Sequence, residues 1–172
     1  VVIAWTLLAI SFSILGSSEP RPEPTRVLFV GNSYLYYNDS LHNHVKRIAV
    51  ELNYKKDEED LKFKSATIGG ARLEHHNIDW LTAPGKIGVN DGFEVVILQG
   101  GSSEPLFPES RARFIETAVN YARIVRAKGA VPMLYMTHAY VQPDHRFRAD
   151  MISDIQNTCL LYTSPSPRDK RQ

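Results

Sequence analysis

The chain has 172 residues and a formal net charge of +1, enough length for one domain with its own core. With 43% hydrophobic and 23% charged residues its composition is that of a globular protein. It carries no basic stripe, which argues against nucleic acid as a partner. The single cysteine, Cys159, excludes an internal disulfide and any CxxC zinc pattern.

Residues 1–16 (VVIAWTLLAISFSILG) are almost wholly apolar and are followed by Ser17, Ser18 and a proline-bearing stretch. A bilayer span needs about 20 apolar residues. A shorter apolar run with small residues at its exit predicts a secretory signal peptide over residues 1–18. A linker is expected at 19–25, a folded domain at 26–158, and a secreted or periplasmic location without a stable membrane span in the mature form. From residue 159 the sequence reads CLLYTSPSPRDKRQ, with no apolar period. It resembles translated adaptor sequence, and 159–172 is set apart as a non-native tail.

Between these ends strands alternate with helices. Residues 26–30 (RVLFV) form an apolar, β-branched run ending at Gly31, the signature of a buried strand. Asn38 or Asp39 is expected to cap a helix in which Leu41, Val45, Ile48, Ala49 and Leu52 recur at helical spacing. The charge run at 55–60 reads as a solvated loop. Residues 61–68 alternate as a second strand ending at Gly69-Gly70, and 93–98 (FEVVIL) form a third ending at Gln99-Gly100-Gly101. Pro108 opens a long helix through Ala127 that Lys128-Gly129 closes. Residues 131–136 make a fourth strand and 148–157 another helix. The order implies an α/β fold, a mainly parallel sheet covered on both faces in three α/β/α layers. Chemistry is then expected in the loops after the strands.

The first three of those loops are polar and glycine-bearing. Ser33, in Gly31-Asn32-Ser33-Tyr34, follows the first strand, where its hydroxyl can enter the crevice near a helix N-terminus. Alone, such a serine is more often a turn or capping residue. Gly69-Gly70 lets a backbone N–H approach a developing oxyanion. The Gln99 side-chain amide is a candidate further donor. Asn32, Tyr34, His75, Ser102 and His138 are candidate pocket-lining residues. Neighbouring His75 and His76 rarely face one ion and have no evident third ligand, so no metal is expected.

These segments, VLFVGNSY, IGGARLEHH and VVILQGGSSEP, together resemble blocks I, II and III of the SGNH (GDSL-like) hydrolases, in the branch whose first block reads GNS. The later PMLYMTHAY is similar to that branch's fourth strand. The resemblance spans about residues 26–157. It implies a serine esterase acting on acyl esters, acetyl or short-chain, on a small-molecule or glycan substrate without a cofactor. Ser33 would be the nucleophile, and the N–H groups of Ser33 and Gly70 part of the oxyanion hole. Gln99 would stand where the family has Asn.

The family's D-x-x-H, which supplies the base and its orienting carboxylate, has no counterpart here. Asp39-x-x-His42 fits the spacing but opens the first helix. Asp144-His145 is wrongly spaced, and His138 is an isolated loop histidine. The final strand and helix are therefore expected to be missing, and the fragment to be inactive. Two other readings stay open: a non-catalytic glycan-binding relative, and a flavodoxin-like electron carrier with a glycine loop after its first strand.

Overall fold

The structure is a computed structural model that describes residues 23–52 and 57–160. The expected signal peptide, the linker up to residue 22 and the tail from residue 161 lie outside the described residues. Four strands, β1 (Arg26–Gly31), β2 (Lys62–Thr67), β3 (Val95–Leu98) and β4 (Val131–Leu134), form one sheet in the order β2-β1-β3-β4. Every pairing is parallel. A parallel neighbour requires a crossover, and the segments between strands supply it.

The helices are α1 (Ser33–Tyr36), α2 (Leu41–Glu51), α3 (Ile78–Leu81), α4 (Pro108–Ala127) and α5 (Met151–Leu160). On one face of the sheet Leu28, Val30, Val96 and Leu98 pack against Phe114, Ala118, Tyr121 and Val125 of α4 and Ile78 of α3. The α4 residues recur at the four- and three-residue steps that make a single helical stripe. On the other face Val27, Phe29 and Phe63 meet Leu35 of α1 and Ala49 of α2. Successive strand residues point to opposite faces, so β1 supplies both cores alternately. Burying each large apolar side chain contributes roughly 1.5–3 kcal/mol.

The α2 side of β3 and β4 is barer. There Val27, Phe29, Ile48, Leu52, Val95, Ile97 and Met133 border an apolar groove of about 300 Å³. Ile48, Leu52 and Met133 are exposed. Among the described residues no helix is long and apolar enough to cross a membrane.

The start of α2 differs from expectation. Its cap position is Ser40, with no side-chain cap bond, and Asn38, Asp39 and Ser40 all have positive φ. Asn and Asp tolerate that left-handed backbone. The Asp39 carboxylate instead accepts from Arg47 Nη2 at 2.6 Å and Asn43 Nδ2 at 3.2 Å. The last helix begins three residues later than expected, after Arg148 has placed its guanidinium against Asp150 and Asp154.

Candidate active site

The loops after β1, β2, β3 and β4 meet at the carboxyl edge of the sheet. They enclose a cleft of about 500 Å³ bordered by Ser33, Gly70, Arg72, Gly101, Ser102, Glu104, Tyr140 and Arg146, with Asn32 and Tyr34. Ser33 is the first residue of α1. Its N–H and that of Gly70 find no protein acceptor among the described residues. Gly70 has φ +69°, a left-handed conformation that glycine adopts without steric cost. Ser33 and Gly70, expected to meet, thus share one cleft with two free N–H donors.

Gln99 does not border this cleft. Its side chain is fully buried beneath it. Its Oε1 accepts from the Asn32 N–H at 2.9 Å, and its Nε2 donates to the Gly100 carbonyl. The amide is spent on backbone, so its contact with the nucleophile loop is that of a support. Gly31 makes room for it: a Cβ there would lie 2.4 Å from Gln99 Oε1 and 2.8 Å from Leu35 Cδ1.

Asn32 is equally committed. Its Nδ2 donates to the Ala71 carbonyl at 2.9 Å, and its Oδ1 accepts from the Tyr34 N–H at the start of α1. The side-chain cap fixes where the helix begins, and so where Ser33 points.

Glu104 was not singled out in the sequence. It is 3% exposed, on a short turn (Glu104–Leu106) before α4. Its Oε2 accepts from the Leu73 N–H at 3.4 Å and from the Gly101 N–H. Burial pushes its carboxyl above the usual range, more than its two backbone donors pull it down. The available signal was Gly100-Gly101: a Cβ on either would come within 3.1 Å of Glu104 Oε2.

The remaining candidates divide. Ser102 Oγ touches the Tyr140 hydroxyl, which also accepts from Arg146 Nη1 at 2.9 Å. The Arg146 guanidinium lies 3.8 Å from the Tyr140 ring centroid, a cation–π distance. It also binds Asp144, whose carboxyl it holds well below the usual range. Tyr34 meets His138 edge-on, with centroids 5.0 Å apart, in an adjoining hollow of about 740 Å³. His138 borders that hollow and forms no hydrogen bond to Ser33.

His75, expected at the pocket, borders neither space. It is exposed, and its Nδ1 accepts from the Arg72 N–H at 3.2 Å, closing a short turn. His76 is the buried member, 5% exposed, with an unpartnered Nε2 and a pKa lowered by burial. His42 packs beside Phe29 on the α2 face. His145 is exposed beside Asp144. No histidine among the described residues bonds to the Ser33 hydroxyl, and no three metal-ligating side chains gather.

No protein-family model matches the chain, and no curated protein matches it in sequence. Among solved structures it is similar to a protein described as a putative SGNH hydrolase from Slackia heliotrinireducens. That similarity has a TM-score of 0.58 and 19% identity, and covers 81% of this chain and 74% of that one. It is also similar to the protein YxiM from Bacillus subtilis, with a TM-score of 0.41 and 20% identity over 77% of this chain and 41% of that one. At such identities the shared property is the fold: the chain has an α/β fold, with a mainly parallel sheet, like that of an SGNH hydrolase.

Proposed function

We propose that the chain carries the nucleophile and oxyanion half of a serine esterase site. The carrying observation is the meeting of Ser33 and Gly70 in one cleft, each with a backbone N–H that has no protein acceptor among the described residues. Ser33 Oγ attacks the acyl carbonyl carbon and gives its proton to a base. The carbonyl oxygen becomes an oxyanion held by the N–H groups of Ser33 and Gly70. Collapse expels the alcohol, which takes the proton, and water then releases the acid from Ser33. In the SGNH hydrolases that the first three blocks resemble, a D-x-x-H block supplies the base and its orienting carboxylate; among the described residues no histidine bonds to Ser33.

Short acyl esters, acetyl foremost, on a carbohydrate are the substrate class. Exposed Tyr37 and half-buried Tyr34 at the cleft offer ring faces to a sugar. Export through residues 1–18 places the enzyme with extracellular or periplasmic glycans. The test is hydrolysis of p-nitrophenyl acetate and acetylated xylan by the full-length protein, wild type against Ser33→Ala. A second reading, a glycan-binding relative without turnover, is favoured by the Ser33 hydroxyl, which has no hydrogen-bond partner among the described residues. It predicts sugar binding that Ser33→Ala leaves intact and no hydrolysis by the full-length protein.

A further inference from the structure

Three side chains join three of the four loops of the cleft, those after β1, β2 and β3, in a closed cycle. Gln99, at the end of β3, holds the nucleophile loop through the Asn32 N–H. Asn32 holds the loop after β2 through the Ala71 carbonyl. Glu104, after β3, holds that same β2 loop through the Leu73 N–H and its own loop through the Gly101 N–H. Removing any tie frees one edge of the triangle on which Ser33 and Gly70 sit.

We infer that Glu104 is the positioning residue that closes this cycle, its carboxylate strapping the loop after β2 to the loop after β3 and so fixing the Gly70 N–H opposite Ser33. The inference deepens the esterase reading and rests on it for the meaning of the cleft. The strap is anchored at its base. The Glu104 carbonyl accepts from Ser110 Oγ at 2.9 Å, and Arg111 Nε donates to the Pro105 carbonyl at 2.7 Å, both from the first turn of α4. Phe114 of the same helix lies where a Cβ on Gly100 would be, 2.4 Å from it. Gly100 and Gly101 lack side chains at the two positions where one would press on Phe114 or on the carboxylate.

Glu104 is the one ionisable member of the cycle, so the strap responds to pH. The charged groups that act on it are Glu74, which resists its ionisation, and Arg72, which favours it. As a carboxylate it makes charge-assisted bonds to the two N–H groups. Protonated, it makes neutral bonds of roughly half the strength.

The test is amide nuclear magnetic resonance on the 172-residue chain. In the wild type, the Leu73, Gly101 and Gly70 amide shifts should titrate with one common midpoint, above the ordinary Glu value of about 4.3. Gly70 makes no contact with the carboxylate among those described, so its response reports the loop, while Val30 and Leu98 should stay still. In Glu104→Gln, which keeps an acceptor oxygen, the titration should vanish and slow exchange at Leu73 and Gly101 should persist. In Glu104→Ala, exchange at those two amides should rise about tenfold or more. Rescue by Gln and the response of Gly70 would not be expected of a residue that only fills space. A Gly70 amide indifferent to pH, or Gln exchanging as fast as Ala, overturns the inference. If Glu104→Ala does not fold, the wild-type titration and Glu104→Gln decide alone. None of these readouts needs turnover: an esterase reading refuted by Ser33→Ala would leave the strap standing, and the reverse.

Discussion

Replacing Gln99 by Leu tests whether this amide is a support or a donor to substrate. Leu nearly preserves the volume, so the cavity term is small. The substitution leaves the Asn32 N–H and the Gly100 carbonyl without their partners, and both residues are buried. An orphaned buried polar group costs about 1–3 kcal/mol, so the pair should cost about 2–6 kcal/mol. Against a typical domain stability of about 5–15 kcal/mol that is a large fraction. Urea unfolding of the 172-residue chain should show the midpoint falling with m unchanged. Gly31→Ala should do similar damage from the other side, because its Cβ would displace Gln99 Oε1. A donor aimed into the cleft would behave otherwise, with activity lost and stability kept. A Gln99→Leu midpoint within error of wild type would refute the support role.

Three further outcomes are expected. The chain of residues 1–172 should show no Ser33-dependent turnover of an activated acetyl ester, since Ser without a base is a weak nucleophile. Turnover abolished by both Ser33→Ala and His138→Ala would make His138 the base. Stability should fall as pH drops below about 6.5, because burial depresses His76 and His42, and the unfolded chain then binds more protons. Glu104, raised by burial, works in the opposite sense: its contribution is present at low pH and lost as pH rises through its folded value. Urea midpoints from pH 5 to 8 should slope upward, less steeply in His76→Phe, and an unchanged slope would contradict this. N-terminal sequencing of the exported protein should begin after about residue 18, and an apolar run retained in membranes would refute the signal peptide.

The sheet was legible because its strands are short apolar runs bounded by glycines, and α4 matched to the residue because Pro108 and Gly129 punctuate both ends. The one-turn helices α1 and α3 were not, since four residues hold no period. Ser33 and Gly70 were legible as loop positions after strands. Gln99 was misjudged because a residue at a strand's end can face either the cleft or the layer beneath, and only the Gly31 that makes room for it tells which. His75 and His76 illustrate the same ambiguity: one step along the chain exchanges a solvent-facing turn residue for a buried one. Glu104 escaped notice because a carboxylate in a Ser- and Gly-rich loop looks solvated until its two backbone donors are seen.

The most direct test of the proposed site is the rate of p-nitrophenyl acetate hydrolysis by the full-length protein and its Ser33→Ala variant. Loss of a triad nucleophile lowers kcat by about 10⁶ where it has been measured, leaving the residue of catalysis to the oxyanion hole and binding. A fall of at least about 10³ in Ser33→Ala, with an unchanged urea midpoint, is the expected result. Equal turnover by the two proteins would contradict the assignment of Ser33 as nucleophile.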